Sequence, residues 1–197
     1  MNILVIGTGN MGSAFVKQLT LAGHQVKVTA RDSAKAQALA TSNSGATAVA
    51  VSNAAADADA IVLATGYADA VAALQSVGNL DGKVIIDITN PLTPDYMGLT
   101  LGHSTSAAEE IAKALPTTQM VKAFNTLFAQ VLAEGADFGQ GQTATVFVAS
   151  DSEQAKQTTI ALAHSMSFAT IDAGGLKNAR YLEPLAGLNI YLATAQA

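Results

Sequence analysis

A short apolar run, Asn2 to Ile6, leads directly into Gly7-Thr8-Gly9-Asn10-Met11-Gly12, and that loop opens a run of helically spaced apolar residues ending at Gly23. Strand, glycine turn and helix start in this order constrain the chain more than any other feature it has. Gly7 permits a tight turn, Gly9 lets the backbone approach a pyrophosphate with no side chain in the way, and Gly12 lets the helix pack closely on the strand. The helix N-terminus then presents free N–H groups and partial positive charge to an anion. Thr8, Asn10 and Met11 complete the loop, so Gly7 to Gly12 form the candidate pyrophosphate site. A glycine pattern alone is a weak signal. The strand before it and the second strand after the helix supply the context that a dinucleotide site requires.

That second strand, Gln25 to Ala30, is followed by Arg31-Asp32-Ser33-Ala34-Lys35. In dinucleotide-binding units an acidic side chain near this point holds the adenosine ribose, whereas an arginine accommodates a 2′-phosphate. If the strand ends at Ala30, Arg31 is placed to take the phosphate, Ser33 donates a hydroxyl bond and Lys35 adds charge from the next helix's first turn. NADP(H) is then preferred over NAD. If the strand runs one or two residues further, Asp32 enters the ribose slot and NAD use stays open.

The chain has 197 residues, enough for one domain with a short appendage. Half of the residues are hydrophobic and 13% are charged, so a core is readily buried, and the net charge of -5 argues against nucleic acid or an anionic membrane as partner. Absence of cysteine excludes disulfides, thiolate catalysis and thiolate metal sites. The start Met-Asn-Ile-Leu-Val lacks the basic flank of a signal peptide, and no apolar run reaches membrane-spanning length, so a cytoplasmic location is expected.

Beyond the second strand, apolar runs at Ala46 to Val51, Ala60 to Thr65, Lys83 to Ile88, Met120 to Phe124, Thr145 to Ala149 and Phe168 to Ala173 alternate with helix-like segments. Those segments are Ser33 to Thr41, Ala68 to Ser76, Ser104 to Leu115, Leu127 to Glu134 and Ser152 to Ser165. The alternation predicts an α/β fold, a Rossmann-type doubly wound, mainly parallel sheet in one domain over 1–197. Ser106 and Glu109 have capping-box spacing, Asp151-Ser152-Glu153 puts acids at a helix start, and the alanine-rich Asn53 to Ala60 reads as a small-residue helix. Ligands bind such sheets outside the carboxyl ends of the strands. Thr65, Gly66 and Tyr67 are expected on the pyrophosphate or ribose side, and Asn90, Pro91 and Asn125 around the nicotinamide and a second ligand.

Taken together, Gly7 to Gly12, Ala30-Arg31 with Lys35, Asp87 to Leu92, Val121 to Thr126 and Gly174 to Ala186 resemble the NADP-dependent reductases that act with the deazaflavin coenzyme F420. The resemblance runs essentially from end to end. It implies NADP(H) on the sheet's carboxyl edge, a flavin-like ring stacked on the nicotinamide, and Arg31 and Lys35 on the 2′-phosphate. The family's serine before that arginine is Ala30 here, leaving Ser33 as a substitute. It further implies that 174–197 forms a C-terminal helix whose Arg180-Tyr181-Leu182-Glu183-Pro184 segment borders the acceptor pocket. The resemblance implies F420, FMN or FAD as the acceptor, and a homodimer is compatible with it.

Direct transfer of a hydride between stacked rings needs orientation and no obligatory acid or base, so no catalytic side chain is assigned. His103, in the loop after Asn90, is the one candidate for a proton donor or a bond to a flavin edge. His24 and His164 lack the acidic neighbours of a metal or nucleophile set, and no metal site is expected. Two competing readings remain: an NADPH-dependent reductase of a small imine or carbonyl compound, because pyrroline carboxylate reductases begin with a similar glycine loop, and a non-catalytic NADPH-binding sensor.

Overall fold

The computed structural model describes residues 1–195. Its first unit is β1 (Asn2–Ile6), α1 (Asn10–Leu21), β2 (Gln25–Thr29), α2 (Ser33–Thr41) and β3 (Ala46–Ala48). A second follows with β4 (Ala60–Leu63), α3 (Ala70–Ser76), β5 (Val84–Asp87), α4 (Ala107–Ala114), β6 (Gln119–Ala123) and α5 (Ala129–Glu134). The chain closes with a small hairpin of β7 (Asp137–Gly139) and β8 (Gln142–Thr143), then β9 (Thr145–Ser150), α6 (Glu153–Ser165), β10 (Ala169–Asp172) and α7 (Ala179–Ala195).

The main sheet runs β10-β9-β6-β5-β4-β1-β2-β3. Strand order reverses beside β1, where β2 and β4 both pair with it in parallel, Val5 opposite Val28 and Val62. This is the doubly wound fold the alternation predicts. Period-2 alternation splits β1 between two cores: Ile3 and Val5 face α1, while Leu4 and Ile6 face the layer of α3 and α4. Both layers are well filled, and Phe15, Phe124 and Phe168 interlock edge to face at 5.0 and 6.3 Å in the first.

Three local expectations change. β9 pairs antiparallel with β6, Lys122 opposite Ala149, so the last two strands run against the rest. Asn53 to Ala58 folds as successive turns and not as a helix: the carbonyls of Ala56 and Ala58 accept from the Lys83 ammonium, and the Ala55 N–H donates to Val77, leaving no i,i+4 ladder. Third, the Ser106 hydroxyl caps the Glu109 N–H at 3.2 Å, but the Glu109 carboxylate accepts from Ser106 Oγ and Arg180 in place of closing the box. Ser152 caps α6 through the Ala155 N–H, and no helix among the described residues is long and apolar enough to cross a membrane.

Candidate functional site

The glycine loop packs as its spacing demands. Gly7 sits at φ +119°, and a Cβ there would lie 2.2 Å from the Ala64 carbonyl oxygen; a Cβ at Gly12 would lie 2.2 Å from the Gly7 oxygen. Gly9 differs, because a Cβ there would meet nothing within 4 Å. Its freedom from a side chain serves empty space, which is the condition for a ligand to approach the backbone. Gly9 is also the N-cap of α1 and gives it no side-chain cap, and the first turn carries no acid. The uncapped N–H groups and the helix dipole therefore point at an unclaimed anion position.

Gly7, Thr8, Gly9, Arg31, Asp32, Lys35, Thr65 and Gly66 line one cleft of about 540 Å³ at the point where strand order reverses. The buried Thr65 hydroxyl has no hydrogen-bond partner. These features fit a dinucleotide. β2 ends at Thr29, and the Asp32 carboxylate caps α2, accepting from the N–H groups of Ala34 (3.1 Å) and Lys35 (3.2 Å). Its oxygen is thereby committed to the backbone. Arg31 reaches across the cleft mouth to Asp69 at 3.2 Å with its side chain 88% exposed, so its guanidinium is held at the rim by a weak surface pair.

The other expected residues fall elsewhere. Met11 packs into the first core, Asn10 faces a groove between α1, α2 and α5, and Ser33 is the first residue of α2, outside the cleft lining. Tyr67 stands apart from Thr65 and Gly66 and packs against the second core. Burial, and then the carboxylates of Glu110, Glu183 and Asp87, push its phenol above the usual range, so it stays protonated at neutral pH.

Asn90, Pro91 and Asn125 form a second centre at the ends of β5 and β6. Asn90 Nδ2 donates to the Asn125 carbonyl, and Asn125 Nδ2 donates to Asn90 Oδ1 and to the Leu182 carbonyl of α7, all at 2.9 Å. Phe124, wholly buried, takes the left-handed φ of +59° immediately before Asn125. A bulky residue adopts that conformation only when its surroundings hold it there, and the Phe15 and Phe168 rings do so.

Sequence reasoning missed the polar network behind this corner. Lys122 and Asp87 are 0% exposed and Glu183 is 1% exposed, and the Lys122 ammonium contacts both carboxylates at 2.8 Å. A lysine inside the apolar run Met120 to Phe124 was the available signal, since a buried charge requires a partner.

Beside the corner a groove of about 680 Å³ lies between Leu99–His103 and the start of α7, lined there by Lys177, Arg180, Tyr181 and Pro184. The N–H and Oγ1 of Thr100 donate to the Pro91 carbonyl at 2.7 and 3.0 Å, so the groove and the Asn90 turn share a wall. Arg180 grips Glu109 through two bonds of 2.9 and 2.7 Å, which hold the Glu109 carboxyl below the usual carboxylate range against the opposing effect of burial. His103 lines this groove at φ +57°, while His24 and His164 bond to Ser165 and Thr170 away from both surfaces.

Known proteins resemble this chain in sequence and in fold. A family model described as NADP oxidoreductase, coenzyme F420-dependent, matches residues 2–91. The metalloreductase STEAP3 of Rattus norvegicus is 35% identical over 106 residues, 54% of this chain and 20% of that protein, so the chain spans about a fifth of the metalloreductases it matches. A solved structure from Arthrobacter sp. FB24, described as a candidate F420-dependent NADP reductase, superposes with a TM-score of 0.87 at 30% identity, covering 98% of this chain and 94% of that one. The F420-dependent NADP reductase of Methanothermobacter marburgensis is 32% identical over 209 aligned positions, covering 98% of this chain and 92% of the relative. With identity sustained over nearly the full length of both proteins, the chain belongs to the F420-dependent NADP reductase family.

Proposed function

We propose that this protein transfers a hydride between NADP(H) and a flavin-like acceptor, a deazaflavin of the coenzyme F420 type before FMN or FAD, as a cytoplasmic enzyme. The observation that carries the reading is the pairing of two ligand-sized surfaces along one carboxyl edge. One is the glycine-lined cleft with Arg31 and Lys35 at its rim, and the other is the groove beside the start of α7, tied through Thr100 to the Asn90–Pro91 turn.

Bound NADP(H) supplies the hydride, and a redox ring beside the nicotinamide accepts it without a proton donor from the protein. The chain's own residues bind and orient. Gly7 to Gly12 and the α1 N-terminus hold the pyrophosphate, with Thr65 and Gly66 opposite. Arg31 exchanges Asp69 for the 2′-phosphate and Lys35 adds a second positive charge, while Ser33, outside the cleft lining, is left without a role. Asn90, Pro91 and Asn125 form the shared wall at which the two rings meet. The groove's lining contains Lys177 and no acid, with Arg180 beside it already paired to Glu109, so Lys177 is the charge that favours an acceptor bearing an anionic group over a neutral imine or carbonyl compound.

The test is anaerobic NADPH oxidation by the purified protein with F420, FMN, FAD or no acceptor in parallel. Rapid turnover with a single ring system, F420 first, is the expected result. NADPH binding without turnover on any ring overturns the proposal in favour of a sensor.

A further inference from the structure

One charged cluster touches neither ligand surface. Lys122 extends from β6 into a wholly buried space between Asp87, at the end of β5, and Glu183, in α7. Its ammonium donates to Asp87 Oδ2 at 2.8 Å and to the Thr89 carbonyl at 2.5 Å, and it is ion-paired with Glu183 Oε1 at 2.8 Å. The second negative charge is also met. Glu183 accepts the N–H groups of Ala107 (2.8 Å) and Ala108 (3.2 Å) at the start of α4, and Asp87 accepts the Thr89 N–H at 2.8 Å.

Stability alone is a poor reason for such a triad, because apolar side chains of similar volume in a buried ion cluster are often neutral or more stable. What a closed network does impose is registry, since every charge is satisfied in a single arrangement of the elements that carry it. The elements fixed here are the two walls of the proposed reaction space. Thr89, held through both its N–H and its carbonyl, precedes Asn90. Glu183 follows Tyr181, which lines the groove, and Leu182, whose carbonyl fixes Asn125. Lys122 lies on the same strand end as Phe124 and Asn125.

We propose that Lys122 and Glu183 are positioning residues for hydride transfer. Their buried ion pair keeps α7, the acceptor wall, in register with the Thr89–Pro91 turn and Asn125, the cofactor wall, and so sets the gap between donor and acceptor carbons. The inference rests on the two-ring reading above. In that reaction the C4–H bond of NADPH breaks and a C–H bond forms on the acceptor, both electrons travelling with the hydride and water supplying any further proton. Rate depends steeply on that gap, and a displacement of about 1 Å costs on the order of a hundredfold.

The experiment compares the unsubstituted protein with Glu183→Gln, which keeps the side chain's size and an oxygen for the α4 amides, and with the triple variant Asp87→Asn, Lys122→Met, Glu183→Gln, which removes all three charges together. Four quantities are read: thermal midpoint, NADPH affinity without acceptor, kcat with the acceptor that turns over, and the primary isotope effect with NADPH deuterated at the transferred position. The expected result is NADPH affinity held within about threefold, kcat lower by about tenfold or more, and a larger isotope effect as transfer becomes limiting. The triple variant recovers the thermal midpoint but not kcat. Recovery of both, or a loss of kcat that follows a loss of NADPH affinity, reduces the triad to a structural role and overturns the proposal. Absence of turnover in the unsubstituted protein with every ring overturns the two-ring reading itself and this role with it.

Discussion

The two ends of the carboxyl edge are built on opposite plans. On the adenosine side, between β1, β2 and β4, the surface is backbone and small residues, the α1 N-terminus is uncapped, and the Arg31 side chain is 88% exposed. On the redox side, between β5, β6 and α7, Asn90, Asn125, Lys122 and Glu183 are bonded across elements while the buried Thr89 hydroxyl and Asn125 Oδ1 have no partner, and the Phe124 backbone is held in a left-handed turn. The first region leaves its hydrogen-bonding capacity open to water and to a ligand. The second has committed most of that capacity internally, the Thr89 hydroxyl and Asn125 Oδ1 excepted, and holds its geometry before any ligand arrives. Substitutions on the adenosine side should therefore change binding and leave the fold alone, whereas those at the redox corner couple fold to turnover.

The sharpest break of this contrast is Gly9→Val. A Cβ at Gly9 has no neighbour within 4 Å and the backbone there is extended, so the variant should fold with an unchanged thermal midpoint. Its branched side chain occupies the pyrophosphate's path, and binding of both NADPH and NADH should vanish in a fluorescence titration. Retained binding of either cofactor would remove the dinucleotide assignment of the whole cleft.

The same contrast explains what the sequence makes legible. Gly7 to Gly12 is contiguous, with Gly7 and Gly12 required by close backbone approach and Gly9 leaving the approach open, so the adenosine half can be read from a few neighbouring letters. The caps at Ser106 and Ser152 are local too. The redox corner draws Asp87, Lys122 and Glu183 from two strands and a helix, and each taken alone resembles a strand end or a solvated side chain. Only the tertiary fold brings them within 2.8 Å. Strand direction is similarly hidden, because the apolar pattern of β9 reads the same either way along the chain. At Asn53 to Ala60 alanine content favours a helix, yet Lys83, distant in sequence, claims the carbonyls a helix would use. Asp32 is the finest case, as its role turns on where β2 ends.

Arg31→Ala sharpens the comparison on its binding side. Arg31 holds only an exposed pair with Asp69, so its loss should leave stability nearly unchanged. NADPH affinity should fall about ten- to hundredfold through loss of a charged hydrogen bond to the 2′-phosphate, while NADH affinity stays level. Parallel titrations of the two cofactors decide it, and an equal loss for both would mean that Arg31 contacts the adenosine and not the phosphate.

Asp32→Ala is the smallest expected effect and the most discriminating for the boundary between binding and fold. The Asp32 carboxylate accepts the N–H groups of Ala34 and Lys35, so its removal leaves the start of α2 uncapped at a cost of about 1 kcal/mol. For a chain of this size that lowers the thermal midpoint by roughly 2–4 °C. If the cap is its whole role, the ratio of NADPH to NADH affinity is unchanged, because the lost interactions are all to the protein's own backbone. If instead the carboxylate leaves the cap to take the ribose hydroxyls when NADH is present, NADH affinity falls in the variant while NADPH affinity holds. That result would place Asp32 in the ribose slot and give this one position on the adenosine side the double commitment, to fold and to ligand, that otherwise marks the redox corner.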